Sequence, residues 1–175
     1  EENNLVWIMT SNCQLSQKYI ETIKAELIDI KDDGSIWLNQ KYFNYATGLR
    51  MVFDKKWEKL FGFPRRTAES ELEQKHCNLA FAIQKITEEV VQKMAEEAKR
   101  LTGSKYLCMA GGVALNCVAN GKLLNNNVFE NIFIQPAAGD AGGSLGAALA
   151  AHHLYFEKER IVFTSFDDMK GSYLG

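Results

Sequence analysis

The chain has 175 residues, of which 46% are hydrophobic and 24% charged, a composition typical of about one ordinary globular domain. The formal net charge of −2 provides no basic surface of the kind that binds nucleic acid or an anionic membrane. No apolar run approaches the roughly 18 residues that a membrane span needs, and the four cysteines show no CxxC spacing. We therefore expect a cytoplasmic chain with reduced thiols and with neither a nucleic-acid nor a membrane partner.

The first third of the chain predicts helices around a short hairpin. Its predicted elements are a helix over 15–30 that runs into a strand at 26–30, a strand at 36–38, and a short helix at 54–61. The turn Asp32-Asp33-Gly34-Ser35 separates the two strands, as expected for a hairpin. Arg65 and Arg66 follow the short helix in a loop. A solvated pair is the favoured interpretation, and a phosphate-facing role is the alternative.

One long helix is predicted from about Glu71 to Leu101, because apolar residues recur every three or four positions. The stripe consists of Leu79, Ile83, Ile86, Val90, Met94, Ala98 and Leu101. We expect it to pack in the core rather than to contact a cofactor. His76 precedes the stripe and is interpreted as a half-buried packing residue, with a role beside a substrate as the alternative.

The remainder of the chain alternates strands and helices. The predicted order is a strand at 105–110, a helix at 113–124, a strand at 131–135 and a helix at 142–156, which indicates an α/β fold. Each strand stops at a glycine-rich turn that leads into a helix of small residues. Glycine permits close approach of a ligand to the backbone, and the free amides of a helix start attract anions. Two such turns side by side predict a cleft for a nucleotide or another phosphorylated ligand.

The first of these turns contains Gly111 and Gly112, followed by Asn116 and Asn120 on one face of the predicted helix. Asparagine side chains at a helix start can reach ribose or phosphate oxygens. Close packing of the helix on the sheet explains the glycines equally well, so both interpretations stay open. The turn matches neither the GxGxxG nor the GxxxxGK[ST] fingerprint.

The second turn, residues 136–143, places Asp140 among glycine and alanine only. An aspartate just before a helix is often an N-cap, which is the structural alternative here. A cap does not need small residues around it, whereas small residues leave room for a ligand against the backbone. We therefore favour a ligand-binding or metal-binding role for Asp140.

These glycine-rich segments resemble one family. The matching segments are Ala110–Lys122, Phe129-Glu130 and Gln135–Leu149. The resemblance extends upstream through Asp33–Asn39, Tyr42–Tyr45 and Phe61–Arg65, and downstream to Ser172–Gly175. Together they look like the O-carbamoyltransferases, the family of nodulation protein U and cephamycin carbamoyltransferase. The resemblance covers about residues 20–175.

The resemblance implies one lobe of an actin-like ATPase or sugar-kinase type fold, with a mixed sheet covered by helices. It also implies an activity that uses carbamoyl phosphate and ATP to make carbamoyl adenylate and passes the carbamoyl group to a hydroxyl-bearing small molecule. By matched motif, Asp140 would ligate a divalent metal, for which iron is a candidate. The adenylate site would be lined by Gly111, Gly112, Asn116, Gly139 and Gly143.

The family's other metal ligands include a His-x-x-x-His pair, which this sequence does not contain. Residues 1–17 also differ from the family pattern. We therefore expect residues 1–162 to be the second lobe of the transfer domain and 163–175 to be an exit linker, in a fragment inactive alone. An N-terminal lobe and a C-terminal adenylate-forming domain would be its partners, and exposed apolar surface would favour self-association, with a homodimer as one form. The alternatives are an actin-like small-molecule kinase lobe and a non-catalytic nucleotide-binding or assembly lobe.

Overall fold

A computed structural model of the protein describes residues 13–161. The chain divides into two compact units, the first ending at Ala98 and the second beginning at Lys99. Each unit combines helices with a pair of strands, which confirms the predicted α/β class. Within residues 13–161 the strands form two separate pairs, so the single mixed sheet that we expected is not formed there.

The first unit is built on a helix, a hairpin and two further helices. Its elements are α1 (Cys13–Thr22), a π-helical turn (Ile23–Leu27), β1 (Ile28–Ile30), β2 (Ile36–Leu38), a 3-10 turn (Gln40–Tyr42), α2 (Asp54–Phe61) and α3 (Gln74–Thr102), whose last turn enters the second unit. The strands β1 and β2 pair antiparallel, with Asp29 opposite Trp37. The predicted strand at 26–30 starts only at Ile28, because the helix continues through Leu27.

A single face of the first helix explains this continuation. Tyr19, Ile23 and Leu27 are spaced one helical turn apart, and all three are buried. They belong to a core cluster with Tyr42, Phe61, Ala82 and Ile86. The ring of Phe61 packs edge-on against Tyr19 at 5.6 Å between centroids, so helices α1 and α2 share an aromatic contact.

The long helix α3 buries only part of the predicted apolar stripe. Its buried residues are Asn78, Ala82, Ile86 and Ala95, whereas Ile83, Met94 and Leu101 are exposed. The expectation that the whole apolar stripe packs in the core is therefore wrong. Of the predicted stripe, Ile86 is buried, and Leu79 and Val90 are partly buried against the same core cluster. Small side chains at Ala82 and Ala95 allow close packing there.

Tyr42 is a buried residue of the first unit whose polar groups form hydrogen bonds with two other side chains. Its hydroxyl donates to Glu26 Oε2 at 2.5 Å, and this hydrogen bond raises the pKa of Tyr42. The carbonyl of Tyr42 accepts from Trp57 Nε1 at 3.1 Å, which fixes α2 against the 3-10 turn. The buried tyrosine therefore has partners for both its hydroxyl and its carbonyl.

The second unit contains a parallel strand pair with helical connections. Its elements are β3 (Tyr106–Met109), a 3-10 turn (Gly112–Leu115), α4 (Cys117–Asn125), β4 (Asn131–Ile134), α5 (Gly142–Ala150) and a π-helical turn (Ala151–Tyr155). The strands β3 and β4 pair in parallel, with Met109 opposite Ile134. The helix predicted at 113–124 is wrong at its start, because the chain first forms the 3-10 turn and the α-helix begins at Cys117.

The core of the second unit is small. Its buried side chains are Ala114, Ala119, Leu123, Phe129 and Ala138, and helix α5 buries none of its residues. No helix among residues 13–161 is long and apolar enough to cross a membrane. The predicted exit linker at 163–175 and most of the divergent segment 1–17 lie outside the described residues.

Candidate functional site

The two glycine-rich turns lie side by side in the second unit. They follow β3 and β4, which are adjacent and parallel, so both turns are at the carboxyl-end edge of this strand pair. The backbone N–H of Gly111 in the first turn donates to the carbonyl of Ala138 in the second, at 2.7 Å. The carboxyl edge of parallel strands is where α/β folds commonly bind ligands.

Gly111 has a backbone conformation that requires glycine. Its φ of 98° and ψ of 163° lie in a region that is closed to side chains. A Cβ atom placed on Gly111 or on Gly112 would have no atom within 4 Å. The first turn therefore presents bare backbone to open space rather than to a packed neighbour.

The second turn combines one close contact with one open position. A Cβ on Gly142 would overlap the carbonyl oxygen of Ala137, whereas one on Gly143 would meet nothing within 4 Å. At Gly139 the nearest atom would be Leu115 Cδ1 at 3.5 Å, an ordinary contact with the first turn. The sequence did not single out Gly142, the glycine that packing requires, because that need arises from the fold of the turn itself.

Asn116 has a structural role in addition to any role in binding. It is the N-cap of α4, and its side-chain oxygen accepts from the backbone N–H of Ala119 at 3.1 Å. This bond satisfies one of the free amides at the helix start. The amides that were predicted to begin at Val113 are instead those of a helix that starts at Cys117.

Asn120 lies one turn further along α4. Its Nδ2 donates to the carbonyl of Ala114 at 2.7 Å, which ties the helix to the 3-10 turn before it. The other side-chain atom, Oδ1, is buried and has no hydrogen-bond partner among residues 13–161. A buried acceptor without a partner is uncommon in proteins, and a ligand hydroxyl or a water could supply the missing donor.

Asp140 is exposed and does not cap the following helix. The N-cap of α5 is Ala141, which makes no side-chain cap bond. Within the described part of the chain, the carboxylate of Asp140 makes no hydrogen bond and no ion pair. The interpretation of Asp140 as an N-cap is therefore wrong.

A metal site is not completed by this part of the chain. Among residues 13–161, no group of three or more His, Cys, Asp or Glu side chains is close enough together to hold a metal ion. Asp140 alone is a single oxygen ligand, and a stable divalent site needs several. Its assignment as a metal ligand stays a prediction.

The first unit contains a separate cavity of about 600 Å³. Its lining includes Trp57, Phe63, Leu79 and Ile83, with several charged side chains at the same opening. His76 also lines it, half-buried, with Nδ1 accepting from the backbone N–H of Glu73 at 3.0 Å. Sequence reasoning missed this cavity, although it noted the arginine pair and His76 separately.

Comparison with known proteins places the chain in a family. A family profile described as "Carbamoyltransferase N-terminus" matches residues 11–149, which is most of the chain. The chain therefore belongs to the carbamoyltransferase N-terminus family, and the resemblance stated from its glycine-rich segments is confirmed.

Three relatives illustrate the match. An uncharacterized protein of Synechocystis is 53% identical over 158 residues, covering 90% of this chain and 25% of that protein. Nodulation protein NolNO of Sinorhizobium fredii is 49% identical over 76 residues, which is 43% of this chain and 11% of the relative. The 3'-hydroxymethylcephem-O-carbamoyltransferase of Streptomyces clavuligerus is 33% identical over 81 residues, covering 46% and 15% respectively. The chain thus spans a quarter or less of the length of these relatives.

Proposed function

We propose that the intact protein transfers a carbamoyl group from carbamoyl adenylate to the hydroxyl of a small molecule, and that the paired glycine turns form part of the adenylate site. Family membership supports the carbamoyl chemistry. The observation that carries the site is the hydrogen bond from Gly111 to Ala138, because it holds the two turns at one edge of the strand pair. The acceptor oxygen would form a bond to the carbamoyl carbon as the bond from that carbon to the AMP phosphate oxygen breaks, with the hydroxyl proton released.

Open space beside the backbone supports a nucleotide at this edge. Gly111, Gly112 and Gly143 have open space where a side chain would lie, so phosphate oxygens could approach their backbone closely. Gly139 lies against the first turn, and Asn116 holds the start of α4 in place. We assign these five residues to the lining of the adenylate site.

Asp140 would contribute one ligand to a divalent metal, with iron as a candidate. A metal ion bound there would supply Lewis-acid polarisation of an oxygen. Because residues 13–161 offer no further clustered ligands, the remaining ligands would come from other parts of the intact protein.

The wider architecture is also a proposal. We infer that residues 1–162 belong to a lobe of the actin-like ATPase type, followed by a linker at 163–175. An N-terminal lobe would complete the cleft, and a C-terminal domain would make the adenylate from carbamoyl phosphate and ATP. The greater length of the relatives supports this organisation.

The proposal is tested by filling the first turn. At Gly112 the backbone lies outside the left-handed region and space is open, so Gly112→Val should fold normally. It should weaken calorimetric binding of a non-hydrolysable carbamoyl adenylate analogue by about tenfold or more, because valine methyl groups occupy the space assigned to the ligand. Gly121→Val, which adds the same side chain at an open position in the middle of α4, is the matched control and should bind normally.

The chemistry is tested separately at Asp140. Asp140→Asn keeps the side-chain shape and removes the charge, so transfer of radiolabelled carbamoyl from carbamoyl phosphate and ATP to the acceptor should fall steeply while analogue binding persists. Normal transfer in this variant would remove Asp140 from the mechanism. Transfer of phosphoryl from ATP without carbamoyl phosphate would favour the kinase alternative instead.

A further inference from the structure

The cavity of the first unit has the size and lining of a small-molecule site. Its volume of about 600 Å³ lies within the range of roughly 300–1,000 Å³ that is typical of ligand pockets. It is formed entirely by residues of the first unit, between position 49 and position 83. None of the residues assigned to the adenylate site belongs to it.

The wall of the cavity is largely apolar and comes from residues 49–52, from helices α2 and α3, and from the loop between these helices. Trp57 lies on α2, Phe63 follows that helix, and Leu79 and Ile83 lie one turn apart on α3. Leu79 is partly buried against the core cluster and also lines the cavity, whereas Ile83, one turn further along, is 45% exposed. Exposed apolar area of this kind is stabilised when an apolar body covers it.

Arginine dominates the charged part of the lining. Arg50 forms an ion pair with Asp54, and Arg65 Nη1 lies 4.0 Å from the same carboxylate. The carboxylate of Asp54 is therefore shared between two guanidinium groups. Arg66 donates to the carbonyl of Ser70, which holds its guanidinium near the opening without neutralising it. Glu58 is the second carboxylate of the lining, so positive charge exceeds negative charge by one.

Arg65 retains most of its capacity to bind an anion. Its side chain is 64% exposed, and its contact with Asp54 is at the outer limit of an ion pair. A guanidinium carries five N–H donors in a planar fork that matches a carboxylate. An anionic group that reaches Arg65 would compete with a carboxylate that is already bound to Arg50.

We propose that this cavity binds a compact organic anion, with its apolar body against Trp57, Phe63 and Ile83 and its carboxylate on Arg65. The site is independent of the carbamoyl-transfer proposal, because it uses neither glycine turn. Glu58 opposes the anion and tunes its affinity downward.

The test uses two probes of the same shape on the intact protein, naphthoate and its neutral counterpart naphthalenemethanol, measured by titration calorimetry. Naphthoate should bind more tightly. Arg65→Gln should weaken naphthoate about fivefold, as expected for an exposed charge contact, and leave naphthalenemethanol unchanged. Glu58→Gln should strengthen naphthoate about twofold, because it removes a like charge.

Lys55→Gln is the matched control, because it removes the same charge from an exposed position on α2 outside the cavity. It should change naphthoate affinity less than Arg65→Gln does. Ile83→Trp, on the exposed side of α3, should fill the cavity and weaken both probes. Equal binding of the two probes, equal effects of the two charge-removing variants, or no saturable binding of naphthoate would each overturn the proposal.

Discussion

The two units of the chain differ in what their side chains bury. In the first unit, aromatic residues pack on one another, and Trp57 and Phe61 approach to 5.3 Å between ring centroids. In the second unit, helix α5 buries no side chain, although its residues are almost all small or apolar. The first unit therefore obtains stability from its own large side chains, while the second presents backbone and small residues outward.

The first unit is therefore suited to side-chain packing, whereas the second leaves its backbone open to close approach by another molecule. The surroundings of two glycines show this contrast between the units most directly. Gly34 in the first unit is surrounded by atoms of Met94, whereas Gly111 in the second faces open space, although both have positive φ. The same residue type thus accommodates a protein neighbour in one unit and leaves space beside the backbone in the other.

The largest expected effect on stability comes from a substitution in the aromatic core of the first unit. Phe61→Ala removes a side chain that is only 8% exposed and should lower the free energy of unfolding by about 3–5 kcal/mol. Phe156→Ala, at a position 60% exposed in the second unit, should change it by less than about 0.5 kcal/mol. Denaturant titration of each variant measures both values. Equal losses would show that the contrast in burial does not govern stability.

A smaller effect is expected from the two glycines. Gly34→Ala should destabilise by about 2–5 kcal/mol, because the new Cβ combines left-handed backbone strain with overlap against Met94. Gly111→Ala adds strain without overlap and should destabilise by about 1–3 kcal/mol. Thermal unfolding of the pair measures the difference. A Gly111→Ala loss as large as that of Gly34→Ala would mean that the first turn is packed rather than open.

The first and last residues of an element were predicted correctly where strong local signals bound it. Strand β2 and helix α2 have the predicted limits, since a turn that contains Gly34 precedes one and Gly62, with φ of 82°, ends the other. The start of α4 was missed because the apolar run after Gly112 looked helical. The competing signal was Asn116, a strong N-cap residue, which local sequence could have revealed.

Other features could not be read from local patterns. The full burial of Asn78, with Leu79 beside it only partly buried, depends on how α3 is oriented against its neighbours, which a period of three or four residues does not fix. The cavity likewise depends on the orientation of α3, together with the path of residues 49–54 and the loop after α2. The neighbouring position of the two glycine turns, in contrast, follows from two successive β-α units once the strands pair in parallel.

The smallest expected effect is at Asn116, which caps helix α4 and is also assigned to the lining of the adenylate site. Asn116→Ala removes the cap of α4 and should lower the free energy of unfolding by about 1 kcal/mol. Asn116→Ser restores a capping oxygen but lacks the amide group, so it should recover stability without recovering any contact of that amide with a nucleotide. Unfolding measurements combined with calorimetry of the adenylate analogue separate the two. If the serine variant recovers both stability and analogue affinity, Asn116 acts on the site only by holding the helix start, and the amide has no direct contact with the ligand.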